Sequence, residues 1–417
     1  MVPGSQNRIA SVTEVRILRL AAGGDGIGRM PDGRTVFVPR TAPDDLVEIG
    51  ELREHKRFVR ARLRRVLEPS PNRVDPRCPH YVVDECGGCQ LQHLDSDAQL
   101  RSRSGFVGDA LRRIAKRETG DPPVVPSERN FEYRTKITLH ADGKRSRIGL
   151  RRYDRPDQIF DLHWCHITVE PLMRLWQSLR GMRTLLPRTL EQLVLRLDRG
   201  GNRHLIVRVG EGEVWGGASQ LWRELQRADV ESTIWYQPFE GVARTIAGSP
   251  EAFPATVFEQ VHPEMGDRVR SYALDQLGDV SGRRVWDLYA GVGAATVALV
   301  AGGARVESVE LDRRAVEEAE ARGPVARRHV GRVEDLLSVL QPPDLVLTNP
   351  PRSGMDERVT AVLDRIRPTR LVYISCDPAT LARDLQRMPH LRLERVQAFD
   401  LFPQTAHVES VAVLEPA

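Results

Sequence analysis

The spacing of apolar residues changes character along this chain. From Val12 to Leu67 apolar and polar positions alternate in short runs, at Val15–Leu20, Thr35–Val38, Leu46–Ile49 and Val59–Val66. Glycine-rich turns such as Gly23–Gly28 separate them. Alternation bounded by glycine marks half-buried strands, and strands this short and closely spaced predict a small barrel. In the last run Arg60, Arg62 and Arg64 fall on one face and Val59, Ala61 and Leu63 on the other. Pro69–Pro76 reads as a linker. Between Asp95 and Lys116 the period lengthens: Leu100, Val107, Leu111 and Ile114 form a stripe, with Arg101, Arg103, Arg112, Arg113 and Lys116 on a charged, solvated face. That predicts a helix, ended by Asp121–Pro126. Strand-like runs at Lys136–His140, Arg147–Leu150, Leu193–Leu197, His204–Val209 and Thr233–Gln237, with one helix near Pro171–Arg183, predict a β-rich middle domain. The last third alternates strand and helix in the manner of a doubly wound α/β sheet, with strands at Val285–Tyr289, Arg305–Glu310, Asp344–Thr348 and Leu371–Ser375. Leu393–Phe402 and Val408–Glu415 close it as an antiparallel pair joined by Pro403–His407.

Length supports the division, since 417 residues exceed one ordinary core. No long apolar stretch suggests a membrane span, and Met1–Asn7 lacks the apolar core of a secretion signal, so a cytoplasmic protein is expected. Net charge is only +4, yet the segment Arg53–Arg65 carries seven basic residues against one acid, Glu54. Such a strand pair faces either solvent or phosphates. Five cysteines are an odd count for a disulfide framework and a cytosolic chain seldom has one.

Four of the five suit one metal site. Cys78, Cys86 and Cys89 lie close together, with Cys165 further on, and Gly87 and Gly88 let the backbone curl so that two sulfurs reach one centre. Their spacing leaves zinc, an iron–sulfur cluster and redox-sensing thiols all open. In the last third, each predicted strand ends in chemistry. Asp287-Leu-Tyr-Ala-Gly-Val-Gly293 is a turn whose glycines permit close approach of a ligand, and Glu310 follows Gly291 by nineteen residues, the spacing of a carboxylate that grips ribose hydroxyls. Asn349-Pro-Pro-Arg352 ends the next strand and Cys376-Asp-Pro378 the one after, on the rim where doubly wound folds place their sites. An antiparallel closing pair is typical of methyltransferase sheets, which points to S-adenosylmethionine rather than a dinucleotide.

With Gly24–Gly28, Phe258-Glu-Gln260 and Pro403-Gln-Thr-Ala-His-Val-Glu409 added, the chain resembles the RNA 5-methyluridine (uracil-C5) methyltransferase family over nearly its whole length. The resemblance implies a TRAM β-barrel, OB-like, at 1–67, and a central cluster and RNA-binding domain at 68–92 and 122–255. It implies a Rossmann-like class I methyltransferase domain at 93–121 and 256–417, the helix of 95–116 packing on it. It implies a 4Fe-4S cluster, with zinc as the alternative, held by Cys78, Cys86, Cys89 and Cys165. Cofactor contacts fall to Gln260, Tyr289, Gly291, Gly293, Glu310 and Asn349. Cys376 becomes the nucleophile and Glu409 the general base. The implied partner is RNA, ribosomal before transfer RNA, acted on by a monomer, with Arg60, Arg62, Arg64, Arg134 and Lys136 as contacts. Departures are a longer loop between Cys78 and Cys86, His262 and Ala294 where asparagines are common, and Asn349 in place of aspartate.

These residue types answer a chemical need. Uracil C5 is a poor nucleophile until a thiolate adds to C6, and the C5 proton must then leave before the thiol can be expelled. Asn349 matches the N3–H and O4 edge of uracil. Methylation of an exocyclic amine is the rival chemistry, but it lacks a use for Cys376 and sets an aromatic residue where Arg352 stands. A non-catalytic RNA-binding module is the rival of another class.

Overall fold

A computed structural model describes residues 13–143, 147–210, 214–239, 241–249, 258–323 and 326–417. The segment Met1–Asn7 and the expected boundary between 255 and 256 lie outside the described residues.

Strands β1 (Thr13–Leu20), β2 (Gly26–Arg29), β3 (Thr35–Val38), β4 (Leu46–Glu54) and β5 (Phe58–Glu68) close into a barrel in the order β1-β2-β3-β5-β4. Val15, Ile17, Val36, Val38, Val47, Ile49 and Val59 fill it. Part of the run expected to be turn, Gly26–Gly28, is strand β2, because its backbone pairs with both β1 and β3. The alternation of β5 holds as far as Ala61 and then slips, where bulges against β4 shift the register.

Next come α1 (Pro79–Val82), α2 (Ser96–Arg113), β6 (Val124–Val125), β7 (Lys136–Ala141), β8 (Ile148–Arg151), β9 (Ile159–Asp161), α3 (Glu170–Gly181), β10 (Leu190–Leu197), β11 (Arg203–Val209), α4 (Ala218–Arg227), β12 (Thr233–Gln237) and β13 (Arg244–Ala247). A seven-stranded sheet in the order β13-β12-β11-β10-β7-β8-β9 carries α3 and α4 against it. Leu172, Trp176, Leu179, Leu221 and Leu225 from these helices bury against Leu193, Leu195, Leu205 and Val207 of the sheet.

The last unit contains α5 (Pro263–Leu277), β14 (Arg284–Leu288), α6 (Ala294–Ala301), β15 (Arg305–Glu310), α7 (Arg313–Arg322), β16 (Arg327–Val330), α8 (Val333–Leu336), β17 (Leu345–Thr348), α9 (Glu357–Ile366), β18 (Arg370–Ser375), α10 (Pro378–Gln386), β19 (Leu391–Phe399) and β20 (Glu409–Pro416). Its eight strands run β16-β15-β14-β17-β18-β20-β19-β6. The first five are parallel, β20 is antiparallel to both its neighbours, and apolar cores lie on the two faces.

Helix α2 packs on α10 and joins this core through Val107, Ala110 and Leu111. Arg103, placed by periodicity on the solvated face, is instead fully buried, because the helix is covered on two sides and Asp400 and backbone carbonyls receive the guanidinium. Val124–Val125, assigned from sequence to the central segment beginning at 122, pairs with Ala398 and Phe399 at the sheet edge. A two-residue strand between prolines leaves no periodic signal.

Candidate active site

Strand β14 ends in a turn that is shaped by backbone donors. Tyr289 and Gly291 both take positive φ, 61° and 56°. Gly291 N–H donates to Glu310 Oε2 at 2.9 Å, and Asp312 N–H donates to Glu310 Oε1 at 2.8 Å. One carboxylate thus ties the ends of β14 and β15 together, and the space in front of Gly291 is open. Beneath it, Thr296 Oγ1 donates to the buried Asp287 at 2.5 Å, pinning α6 to β14. Burial lifts the Asp287 carboxyl to about 6 against that hydrogen bond. Gly293 caps α6 at φ 74°. The Tyr289 ring packs on the core, so at this turn the residue contributes its backbone bend. Gln260 stands before α5, its side chain lying over Gly266, and no hydrogen bond joins it to the turn among the described residues. His262, which caps α5, stacks on Tyr133 at 4.9 Å and bonds Ser127 through Nε2 at 2.9 Å.

Asn349 follows β17, its N–H donating to Leu288 O at 3.2 Å, with the residue exposed on the rim beside the glycine turn. The loop after it is clamped to the elements that carry Cys376. Asp384 of α10, fully buried, accepts from Met355 N–H at 2.8 Å and from Tyr373 Oη of β18 at 2.7 Å. Thr380 Oγ1 and Arg383 Nη2 donate to the carbonyls of Arg352 and Ser353. Gly354, at φ 77°, sits so tightly on α10 that a Cβ there would lie 2.3 Å from Thr380 and 2.5 Å from Asp384. None of this clamp was singled out from the sequence; the only trace is a glycine after Asn349-Pro-Pro-Arg-Ser.

Cys376 and Glu409 come together by sheet register. In the β18–β20 ladder Ser375 faces Ser410. One step beyond that last pair, Cys376 and Glu409 face each other, and directly opposed residues share a side of the sheet. Cys376 is half-buried; Glu409 is 1% exposed and its Oε2 has no hydrogen-bond partner. Burial, only partly countered by the charge of Arg352, pushes the Glu409 carboxyl up to about 8. Burial and then the Glu409 charge raise the Cys376 thiol, while Arg352 lowers it. Asp377 caps α10 by accepting from Thr380 N–H at 2.7 Å, which fixes the backbone next to the thiol. The arrangement offers a thiol, an unpartnered buried acid and a guanidinium on one rim.

The other four cysteines line one cavity of about 360 Å³, together with Arg134, Lys136, Trp164, His166 and Val261. Cys78, Cys86 and Cys89 are buried and Cys165 is half-buried. Burial first, and then the neighbouring thiols, push Cys86 up to about 12 and raise Cys89 well above the ordinary thiol value. Among the described residues no three acidic, histidine or cysteine side chains are already closed on a metal position. The donor set itself fits a thiolate-bound centre: four cysteines that line one cavity, costly to ionise without a cation, sit beside Arg134 and Lys136.

A second cavity, of about 690 Å³, separates the barrel from the central domain and is lined by Phe37, Arg53, Arg60, Arg62, Arg151, Arg152 and Tyr153 among others. On the barrel side Arg60 lies over Phe37 at 5.7 Å, Phe58 meets Phe37 edge-on, and His55 stacks on Phe58 at 4.3 Å. Of the arginines expected to meet phosphates, Arg64 is exposed, Arg60 is exposed and pairs with Asp25 at 3.2 Å, and Arg62 is engaged with Glu51, Glu85 and Asp154. Arg134 and Lys136 belong to the cysteine cavity rather than to this face.

Comparison with known proteins bears on the family and the fold. A family model described as tRNA (Uracil-5-)-methyltransferase matches residues 325–416, and the TRAM domain model matches residues 7–63. The chain is 30% identical to a 23S rRNA (uracil(1939)-C(5))-methyltransferase, RlmD, of Thiobacillus denitrificans, over 96% of this chain and 99% of that one. It is 32% identical to an uncharacterized RNA methyltransferase of Streptomyces coelicolor, over 97% and 93%. Its fold is that of Pyrococcus abyssi tRNA (uracil-54, C5)-methyltransferase, solved in complex with S-adenosyl-L-homocysteine, with a TM-score of 0.72, 24% identity, and 96% and 99% of the two chains covered.

Proposed function

The chain belongs to the RNA (uracil-C5)-methyltransferase family, and from that membership we propose that it methylates C5 of a uridine in 23S ribosomal RNA through a covalent bond from Cys376 to C6. It is an enzyme that uses S-adenosylmethionine, which supplies an electrophilic methyl group when bound. The observation that carries the covalent reading is the pairing of Cys376 with Glu409, a buried carboxyl whose Oε2 is left without a partner. A buried acid without a partner is costly unless the site uses it.

Cys376 Sγ, as thiolate, adds to C6 of the flipped-out base and turns C5 into an enolate-like carbon that takes the methyl group. Arg352, whose charge lowers the thiol, favours that thiolate. Glu409 then removes the C5 proton; burial makes it a stronger base than an exposed carboxylate, at the expense of its ionised fraction near neutral pH. The exposed Asn349 addresses the N3–H and O4 edge of uracil from the same rim. The backbone at Gly291 and Gly293, the Tyr289 bend, Glu310 and Gln260 hold the cofactor.

Cys78, Cys86, Cys89 and Cys165 would hold a 4Fe-4S cluster, with zinc as the alternative. The reaction needs no electron, so the centre serves structure. The arginine-over-aromatic strip of the barrel suits unstacked bases and phosphates. No described helix is long and apolar enough to cross a membrane, and we place the enzyme in the cytoplasm as a monomer.

RNA carrying 5-fluorouridine tests the mechanism, because fluorine cannot leave as a proton and the adduct persists. With S-adenosylmethionine, the wild-type protein should form a species stable on a denaturing gel, absent in Cys376→Ala. No adduct, together with methylated adenine or cytosine, would overturn the reading. Transfer RNA is the second reading, favoured by the family-model description. Mapping 5-methyluridine in both RNA pools with and without the protein decides between them.

A further inference from the structure

Glu409 begins strand β20, and the turn before it, Pro403–Ala406, is held largely from outside its own sheet. Gln404 N–H donates to Gln99 Oε1 at 3.1 Å, and Gln99 Nε2 donates back to Gln404 Oε1 at 3.0 Å. Arg103 Nη2 donates to Thr405 O at 2.9 Å and to Gln99 Oε1 at 3.1 Å. From the cysteine loop, Gln90 and Leu91 N–H groups donate to Gln404 O, and Gln90 Oε1 accepts from Ala406 N–H at 3.2 Å. The barrel closes the junction: a Cβ on Gly24 would lie 2.9 Å from Gln90 and 3.2 Å from Ala406.

Two features mark the turn as imposed by these partners. Gln404 has φ 69°, a left-handed backbone that a non-glycine residue adopts only when its surroundings over-determine it. Gln99, 3% exposed, spends both its amide oxygen and nitrogen on the turn and on the groups that hold it. The thiol has a separate anchorage, the Asp377 cap and the Asp384 clamp on α10.

We propose that Gln99 is a positioning residue for the Glu409 carboxylate: by holding the Pro403–Ala406 turn it serves proton removal and enzyme release, and leaves thiolate addition untouched. This rests on the covalent reading above. In the step concerned, the C5 proton passes to the Glu409 carboxylate and the C–H electron pair forms the C5–C6 double bond. The C6–S bond breaks and its electrons return to Cys376 as thiolate.

On RNA with ordinary uridine, Gln99→Ala should slow turnover about ten-fold or more, the size expected for losing a buried hydrogen-bonded group. A methylated protein–RNA adduct should build up on a denaturing gel. Trapping of 5-fluorouridine RNA should keep its wild-type rate. Trapping and turnover falling together, or turnover staying unchanged, would overturn the proposal. If Gln99→Ala does not fold, Gln404→Ala decides, since its backbone bonds to Gln90 and Leu91 persist: adduct build-up supports the proposal and its absence overturns it. A wild-type protein that traps no 5-fluorouridine RNA would locate the failure in the Cys376 chemistry, not here.

Discussion

At the glycine turn, the groups that shape the crevice come from one βαβ unit, Asp287, Gly291, Thr296, Glu310 and Asp312. At the Glu409 end, the turn leading to the acid is held by Gln99, 305 positions earlier in the chain, and by Gln90 of the cysteine loop. One half of the site is therefore local and would survive in a bare Rossmann-like domain. The other half exists only when barrel, cysteine loop, helix α2 and catalytic sheet are assembled together. A cofactor pocket needs only backbone donors at a strand end, whereas a buried base must be aimed at one face of one ring.

Glu409→Gln should separate the halves most widely. Turnover should fall by about 10²- to 10⁴-fold, the usual contribution of a positioned base, with adduct accumulating and cofactor affinity unchanged by calorimetry. Stability should move the other way. With its carboxyl at about 8 in the folded protein against 4.5 unperturbed, the native state holds a proton that the unfolded chain releases as pH rises through this window. The contribution is fully present below pH 4.5 and is lost as pH approaches 8, by up to about 1.4 kcal/mol per pH unit. The melting advantage of Glu409→Gln over wild type should accordingly grow from pH 5 to pH 8 and then level off.

Glu310→Ala probes the local half. Losing two backbone hydrogen bonds to a carboxylate should weaken S-adenosylmethionine binding about 10- to 100-fold, while RNA affinity stays as it was. Gly354→Ala should lower the melting temperature and turnover together, since a Cβ at that φ must push α10 and the Asn349 loop apart, at about 1–3 kcal/mol. The smallest effects belong to the barrel. Arg60→Ala should reduce the salt dependence of RNA binding by about one unit of slope. Arg62→Ala should leave that slope alone and lower stability, because its acidic partners are left facing one another.

Legibility followed the same division. Glu310 at its spacing from Gly291, the closing antiparallel pair, and barrel strands such as Thr35–Val38 were readable because each depends on neighbours within one supersecondary unit. Cys376 and Glu409 were named through the family resemblance, and register brings them opposite one another. Arg103 was misread as solvated, since periodicity reports one apolar stripe and says nothing of a second covered side. Asp384, Gly354, Gln90 and Gln99 gave no signal, because their work is to hold backbone groups that are remote in sequence. Arg62 was placed on the correct face, but Glu51 of β4 and two acids from separate loops, Glu85 and Asp154, unseen in any local window, occupy it.

The pairing of Val124–Val125 with β19 has a consequence for how the chain is made. The outermost strand of the catalytic sheet is synthesised long before the strand it covers. A fragment beginning near residue 258 would emerge with β19 uncovered, its amides free to recruit another copy. Such a piece should clump during expression, and adding residues 93–126 in trans should restore its solubility.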